Sequence, residues 1–80
     1  MAVASEVTPL KMYRLGLVPR VSQESLARRA VIVLQTYRNA EVGNNCSYST
    51  AKAILKALNE EREIRGLQSV SLDQIGLTIV

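Results

Sequence analysis

The sequence predicts an all-α fold: a compact domain of four to five helices, with two short helices at its centre and a short extended C-terminal tail. Three observations carry that expectation. Apolar residues recur at three- and four-residue spacing in residues 22–41 and again in residues 50–65, so each stretch offers one apolar helix face. Hydroxyl side chains suited to capping helix starts stand ahead of several candidate helices. The length of 80 residues allows one small domain, which buries roughly 60–65% of the surface its unfolded chain exposes. An apolar content of 48% with 21% charged residues excludes wholesale disorder. Without Trp or Phe, the core must come from Leu, Ile, Val, Ala and Tyr.

Residues 1–8, MAVASEVT, lack periodicity and are expected to form a flexible N-terminal arm ahead of a single domain over residues 9–80. Thr8 followed by Pro9 is also a helix start, because the hydroxyl caps and proline suits the first turn. The helix runs over residues 9–15 with Leu10, Tyr13 and Leu17 inward, kept short by Gly16 and Pro19. Residues 16–21 then bring Val18 and Val21 towards the core. Ser22 caps the next helix near the Ser25 N–H, and Glu24 suits its positive end. That helix reaches about Ala30 with Leu26, Ala27 and Ala30 on one face, Ala27 being small enough for a close helix crossing.

A break follows around Val31 and Ile32. A tight turn there commonly uses a positive-φ residue, for which a β-branched side chain is poorly suited. Val33 is a poor cap, so local propensity also tolerates one bent helix over residues 22–41. The second helix spans residues 33–41 with Val33, Tyr37 and Ala40 inward. Gly43, Asn44 and Asn45 end it and open a polar loop to Tyr48. Tyr48 or Ser49 precedes the longest helix, about residues 50–65, with Ala51, Ile54, Leu55 and Leu58 on one face and Ile64 extending it. Glu61 and Arg65 form a favourable pair four residues apart. Gly66 stops this helix, and Ser71 opens a short turn holding Leu72 and Ile75 inward. The apolar, β-prone tail of residues 77–80 either docks on its own domain or pairs across a dimer.

Charge is unevenly spread. Residues 1–40 hold Lys11, Arg14, Arg20, Arg28, Arg29 and Arg38 against Glu6 and Glu24, a net +4, whereas residues 41–80 carry a net −1. A basic N-terminal half suits a polyanion. The outward sides of the central helices hold Gln23, Arg28, Arg29, Gln35, Arg38 and Asn39, groups that match phosphates and base edges. The lone Cys46 has no disulfide partner, and without His no zinc site is expected. No apolar run approaches the roughly 20 residues of a membrane span, and the N-terminus lacks the order of a signal peptide. No cofactor, metal or membrane is expected, and the expected setting is a reducing cytoplasm.

SQESLARRA (residues 22–30), a short gap, then QTYRNAEVG (residues 35–43) resembles the helix-turn-helix of the Cro/C1-type (XRE) family of phage repressors and bacterial regulators. The following STAKAILKAL (residues 49–58) is similar to that family's next helix. The ending VSLDQIGLTIV (residues 70–80) resembles small cyanobacterial proteins built from this one domain. The resemblance implies a lambda-repressor-like domain that binds double-stranded DNA as a homodimer and regulates transcription. It implies base contacts from Leu34, Gln35, Arg38 and Asn39. Backbone contacts are implied from Gln23, which also orients partner side chains, from Arg28 and Arg29, and from Asn44 or Asn45. Glu41 is implied to pair with a basic residue of the first helix, Arg14 or Lys11. Val31 stands where the family usually has a turn glycine, and Val33 where it usually has a Ser or Thr cap.

An enzyme is not expected: the sequence has no His, no glycine-rich phosphate loop and no carboxylates clustered as a catalytic pair, and Cys46 has no base visible in the sequence to activate it. The competing expectation is a protein-interaction or dimerisation module that keeps this fold without binding DNA, using the long helix and the apolar tail towards a protein partner.

Overall fold

Helix α1 (Pro9–Leu15) begins as its residues dictate: the Thr8 hydroxyl accepts the Lys11 N–H at 3.3 Å, and proline occupies the first turn. The structure, a computed structural model, describes residues 8–80. The expected arm therefore lies outside the described residues except for Thr8, which is buried and donates its hydroxyl to the Glu41 carbonyl at 2.6 Å.

Helix α2 (Gln23–Ala30) starts at Ser22, whose hydroxyl accepts the Ser25 N–H at 3.0 Å. It buries Leu26, Ala27 and Ala30. The helix ends at Val31, which sits in the left-handed region at φ 61° and ψ 45°. The Ile32 N–H reaches Ala27 O and the Val31 N–H reaches Arg28 O, a paired closure that satisfies two terminal carbonyls. Helix α3 (Leu34–Glu41) then begins after Val33, which supplies no side-chain cap. The two segments are separate helices, so the single bent helix is excluded. Tyr37 and Ala40 are buried as expected, but Val33 points into solvent at 68% exposure, because its extended backbone lies ahead of the helix face.

The polar loop contains strand β1 (Asn45–Cys46). Helix α4 (Tyr48–Ile64) starts earlier than the sequence predicts, because Ser47 rather than Tyr48 or Ser49 is its cap and accepts the Thr50 N–H at 3.1 Å. Ala51, Ile54, Ala57 and Leu58 form its buried face, with Leu55 half-buried. Ile64, expected inward, is 68% exposed because the core ends a turn before it. The expected Glu61–Arg65 pair forms at 2.8 Å. Arg65 also donates to Val18 O and Pro19 O, at 3.1 and 2.6 Å, pinning the α1–α2 connection by its carbonyls. Val18 is consequently turned outward at 81% exposure, against expectation, while Val21 is buried.

Helix α5 (Leu72–Ile75) is closed by a reciprocal Ser71–Gln74 capping box. Its following residue, Gly76, has φ 65°, and any Cβ there would meet Pro9 at 2.8 Å, so α5 seats directly on the start of α1. Strand β2 (Thr78–Ile79) pairs in parallel with β1, Asn45 opposite Thr78 and Cys46 opposite Ile79, and the Val80 N–H bonds to Cys46 O at 3.0 Å. Of the two expectations for the tail, docking on its own domain is the one found. The result is a compact, mostly helical five-helix domain, consistent with an all-α bundle. Its core is centred on Leu10, Leu17, Leu26, Tyr37, Ile54, Leu58 and Ile75.

Candidate functional site

Helix α3 has two contrasting sides, and the buried one determines how the exposed one is held. Residues 37, 40 and 41 share the inward face, which brings the Glu41 carboxylate into the junction of α1, α2 and α3 at 1% exposure. A charge there needs a full set of partners. Arg14 Nε donates to Oε2 at 2.6 Å and Arg14 Nη2 to Oε1 at 3.2 Å. Gln23 Nε2 donates to Oε1 at 2.6 Å, and the Tyr37 hydroxyl to Oε2 at 2.7 Å. The third arm of Arg14, Nη1, donates to Val21 O at 3.1 Å.

Burial alone would raise the Glu41 pKa, but the hydrogen bonds from Arg14, Tyr37 and Gln23 outweigh it and hold the carboxyl below its ordinary value. Burial and the bond to Glu41 push the Tyr37 hydroxyl upward, so it remains a donor. The expected Glu41–Arg14 pair is therefore present, with Gln23 and Tyr37 added to it. Among the described residues no buried side-chain polar atom lacks a partner.

The outer side of α3 carries Gln35, Arg38 and Asn39, all exposed. Gln35 and Asn39 lie one turn apart and are joined by a 3.1 Å bond from Gln35 Nε2 to Asn39 Oδ1. That leaves the Gln35 carbonyl and one of its N–H groups facing outward. Arg38 is in no ion pair among the described residues. Leu34 is half-buried, packed against the core and lining a shallow cavity of about 230 Å³ with Glu24, Ala27, Arg28 and Ile32.

The structure divides the remaining site residues expected from sequence. Arg28 is on the exposed side of α2, paired with Glu24 at 3.0 Å across solvent. Arg29 turns to α4, where Glu61 and Glu60 hold it at 2.6 and 3.2 Å. Gln23, expected to touch the DNA backbone and to orient partner side chains, directs one amide N–H to Glu41. Asn44 is exposed in the turn after α3, and its N–H closes that helix on Asn39 O at 2.9 Å. Asn45 is exposed but belongs to β1.

Two further features lie outside the sequence reading. Val33 stands exposed at the start of α3, where its inward periodicity pointed the other way. Lys52 lies over the Tyr48 ring at 5.6 Å in the first turn of α4, a spacing of four that was available in the sequence. No family model matches the chain, and no curated protein or solved structure matches it either.

Proposed function

We propose that this protein binds double-stranded DNA in a sequence-specific manner, as a small helix-turn-helix transcriptional regulator of the Cro/C1 type, with α3 as the reading helix. The observation that carries the reading is the outer face of α3, where Gln35, Arg38 and Asn39 are exposed together on a helix whose opposite face is locked by Glu41. A helix of this diameter enters a major groove, and a side chain fixed on a rigid helix keeps its aim.

In this reading Gln35 offers its carbonyl and free N–H to adenine N6 and N7, while Arg38 reaches guanine or a phosphate. Asn39 orients Gln35. Leu34 contributes its exposed edge. Each good bidentate base contact discriminates by about 1–3 kcal/mol. Arg28 exchanges its solvent-exposed ion pair with Glu24 for a phosphate at little cost, since such exposed pairs are weak. Asn44 and Asn45 border the C-terminal end of α3 and serve the backbone, and Gln23 supports the reading helix through Glu41. Arg29 is left to hold α2 against α4. One eight-residue helix spans few base pairs, so a homodimer on half-sites about one helical turn apart completes the reader.

Fluorescence anisotropy against a random duplex pool at two salt concentrations, followed by selection of bound sequences, tests this. The expected result is salt-sensitive binding with an enriched half-site. Arg38→Ala and Gln35→Ala should each weaken binding about tenfold with unchanged thermal stability. No binding at low salt by the folded protein would remove the reading.

A second reading has its own support. Pro9, Met12, Tyr13 and Gln74 line an open, mainly apolar groove of about 490 Å³ between α1 and α5, which suits a side chain of a protein partner. In that case neither Arg38→Ala nor Gln35→Ala alters function.

A further inference from the structure

Helix α1 has two working sides. Leu10 and Arg14 turn into the core, whereas Pro9, Met12 and Tyr13, three and four residues apart, share another face and line the open groove against α5. Met12 stays 59% exposed there, and its flexible thioether adapts to side chains of different shape. The close approach of Gly76 to Pro9 fixes the two walls.

The polar groups around this apolar surface are N–H donors. Gln74 accepts the Ser71 N–H through its Oε1 at 2.7 Å, which leaves its amide N–H groups for the groove. The Arg62 guanidinium lies over the Tyr13 ring at 5.3 Å, and its Nε donates to Gln68 O at 2.6 Å. Held in this way, Arg62 is in no ion pair among the described residues. No carboxylate lines the groove.

We propose that the α1–α5 groove docks a short segment of a partner protein, in which a bulky apolar side chain enters beside Met12 and an adjacent Asp or Glu pairs with Arg62. The inference rests on the groove of the second reading and names what it recognises. It does not depend on DNA binding, because the groove shares no residue with the outer face of α3. A phosphate backbone would meet one cation and an apolar wall, whereas an apolar side chain with a neighbouring carboxylate satisfies both.

The probes are three fluorescein-labelled peptides, each with a central phenylalanine flanked on both sides by glutamate, by glutamine or by lysine. Binding to the full-length protein is read by anisotropy, and its location by amide shifts in proton–nitrogen NMR spectra. The glutamate peptide should bind about fivefold tighter than the glutamine peptide, the scale of one partly exposed ion pair, with less advantage as salt is raised. Shifts should centre on Met12, Tyr13 and Gln74. The net charge of +3 favours any acidic peptide, so the deciding result is that Arg62→Glu reverses the order in favour of the lysine peptide. Gln74→Glu keeps the capping box of α5, which glutamate closes as glutamine does, and should cancel the glutamate advantage by putting a carboxylate in the wall.

Equal binding of the three peptides leaves a protein-binding groove but overturns the acidic partner. An order that Arg62→Glu does not change overturns it too, as do shifts centred on Arg38 and Asn39. Dissociation of a dimer by the peptide, seen in sedimentation, gives the groove to a second copy of this chain. Contacts between residues 1–7 and Met12 in the free protein give it to the chain's own start. Either result overturns the proposal. If no peptide binds, the protein-partner reading falls with it, and the DNA-reading role of α3 is untouched.

Discussion

The two ends of α3 follow opposite rules. At its C-terminal end a buried carboxylate receives four side-chain hydrogen bonds, and Gly43 provides the positive φ of 98° that the helix closure requires. At its N-terminal end a valine holds the left-handed position, another valine stands where a cap belongs, and both side chains face solvent. The same paired closure ends α2 at Val31 and α3 at Gly43, so geometry does not require the difference in residue. The comparison teaches that the stability of α3 is concentrated at one end, while the other retains side chains that local stability disfavours. Such departures mark where a chain has been shaped by something besides folding.

The largest expected effect breaks the well-built end. Glu41→Ala leaves Arg14 buried without its countercharge and should destabilise the fold by about 3–5 kcal/mol, measured by urea unfolding. Replacing Arg14 and Glu41 together by Met and Leu should recover part of that stability, since it removes the orphaned charge but leaves the Tyr37 hydroxyl and the Gln23 amide without their acceptor. Acid tests the same end without mutation. Because the folded pKa of Glu41 is depressed, its contribution is complete above the ordinary carboxylate value of 4.5 and is lost as pH falls below it. Unfolding midpoints should decline with acid in the wild type, and more steeply than in the Met/Leu double variant.

The smallest effect sharpens the other end. Val31→Gly relieves a left-handed β-branched residue with no packing to lose and should stabilise by about 1 kcal/mol in thermal or urea unfolding. If it destabilises instead, the contrast between the two ends fails.

Local signals made much of this legible in advance. The Thr8–Pro9 and Ser22 starts, the Glu61–Arg65 pair and the Glu41–Arg14 pair each follow from residue chemistry over one turn or from the quoted resemblance. Several of the missed features depend on contacts that no short window contains. Arg29 meets Glu60 and Glu61 more than 30 residues away, and Arg65 meets the carbonyls of Val18 and Pro19 across the domain. The resemblance gives Gln23 a part in orienting neighbouring side chains, but nothing local reveals that the side chain is Glu41, because that depends on α2 crossing α3 with its first residue over Glu41. Helical periodicity places Val33 inward, but it does not govern a residue whose own backbone is extended. On the candidate interface, Gln35, Arg38 and Asn39 were readable as an outward set because they lie within one turn and a half of one helix.

The planar fork of Arg14 serves three acceptors at once, two on Glu41 and one on Val21, so it joins α1, α3 and the entry to α2 in a single side chain. Lysine would keep the charge and lose the joint, its one ammonium being unable to reproduce that planar geometry. The consequence is evolutionary. Positions 14, 23, 37 and 41 form one heritable unit, in which drift at any member exposes the others, so descendants of this chain should keep the quartet or exchange it as a whole.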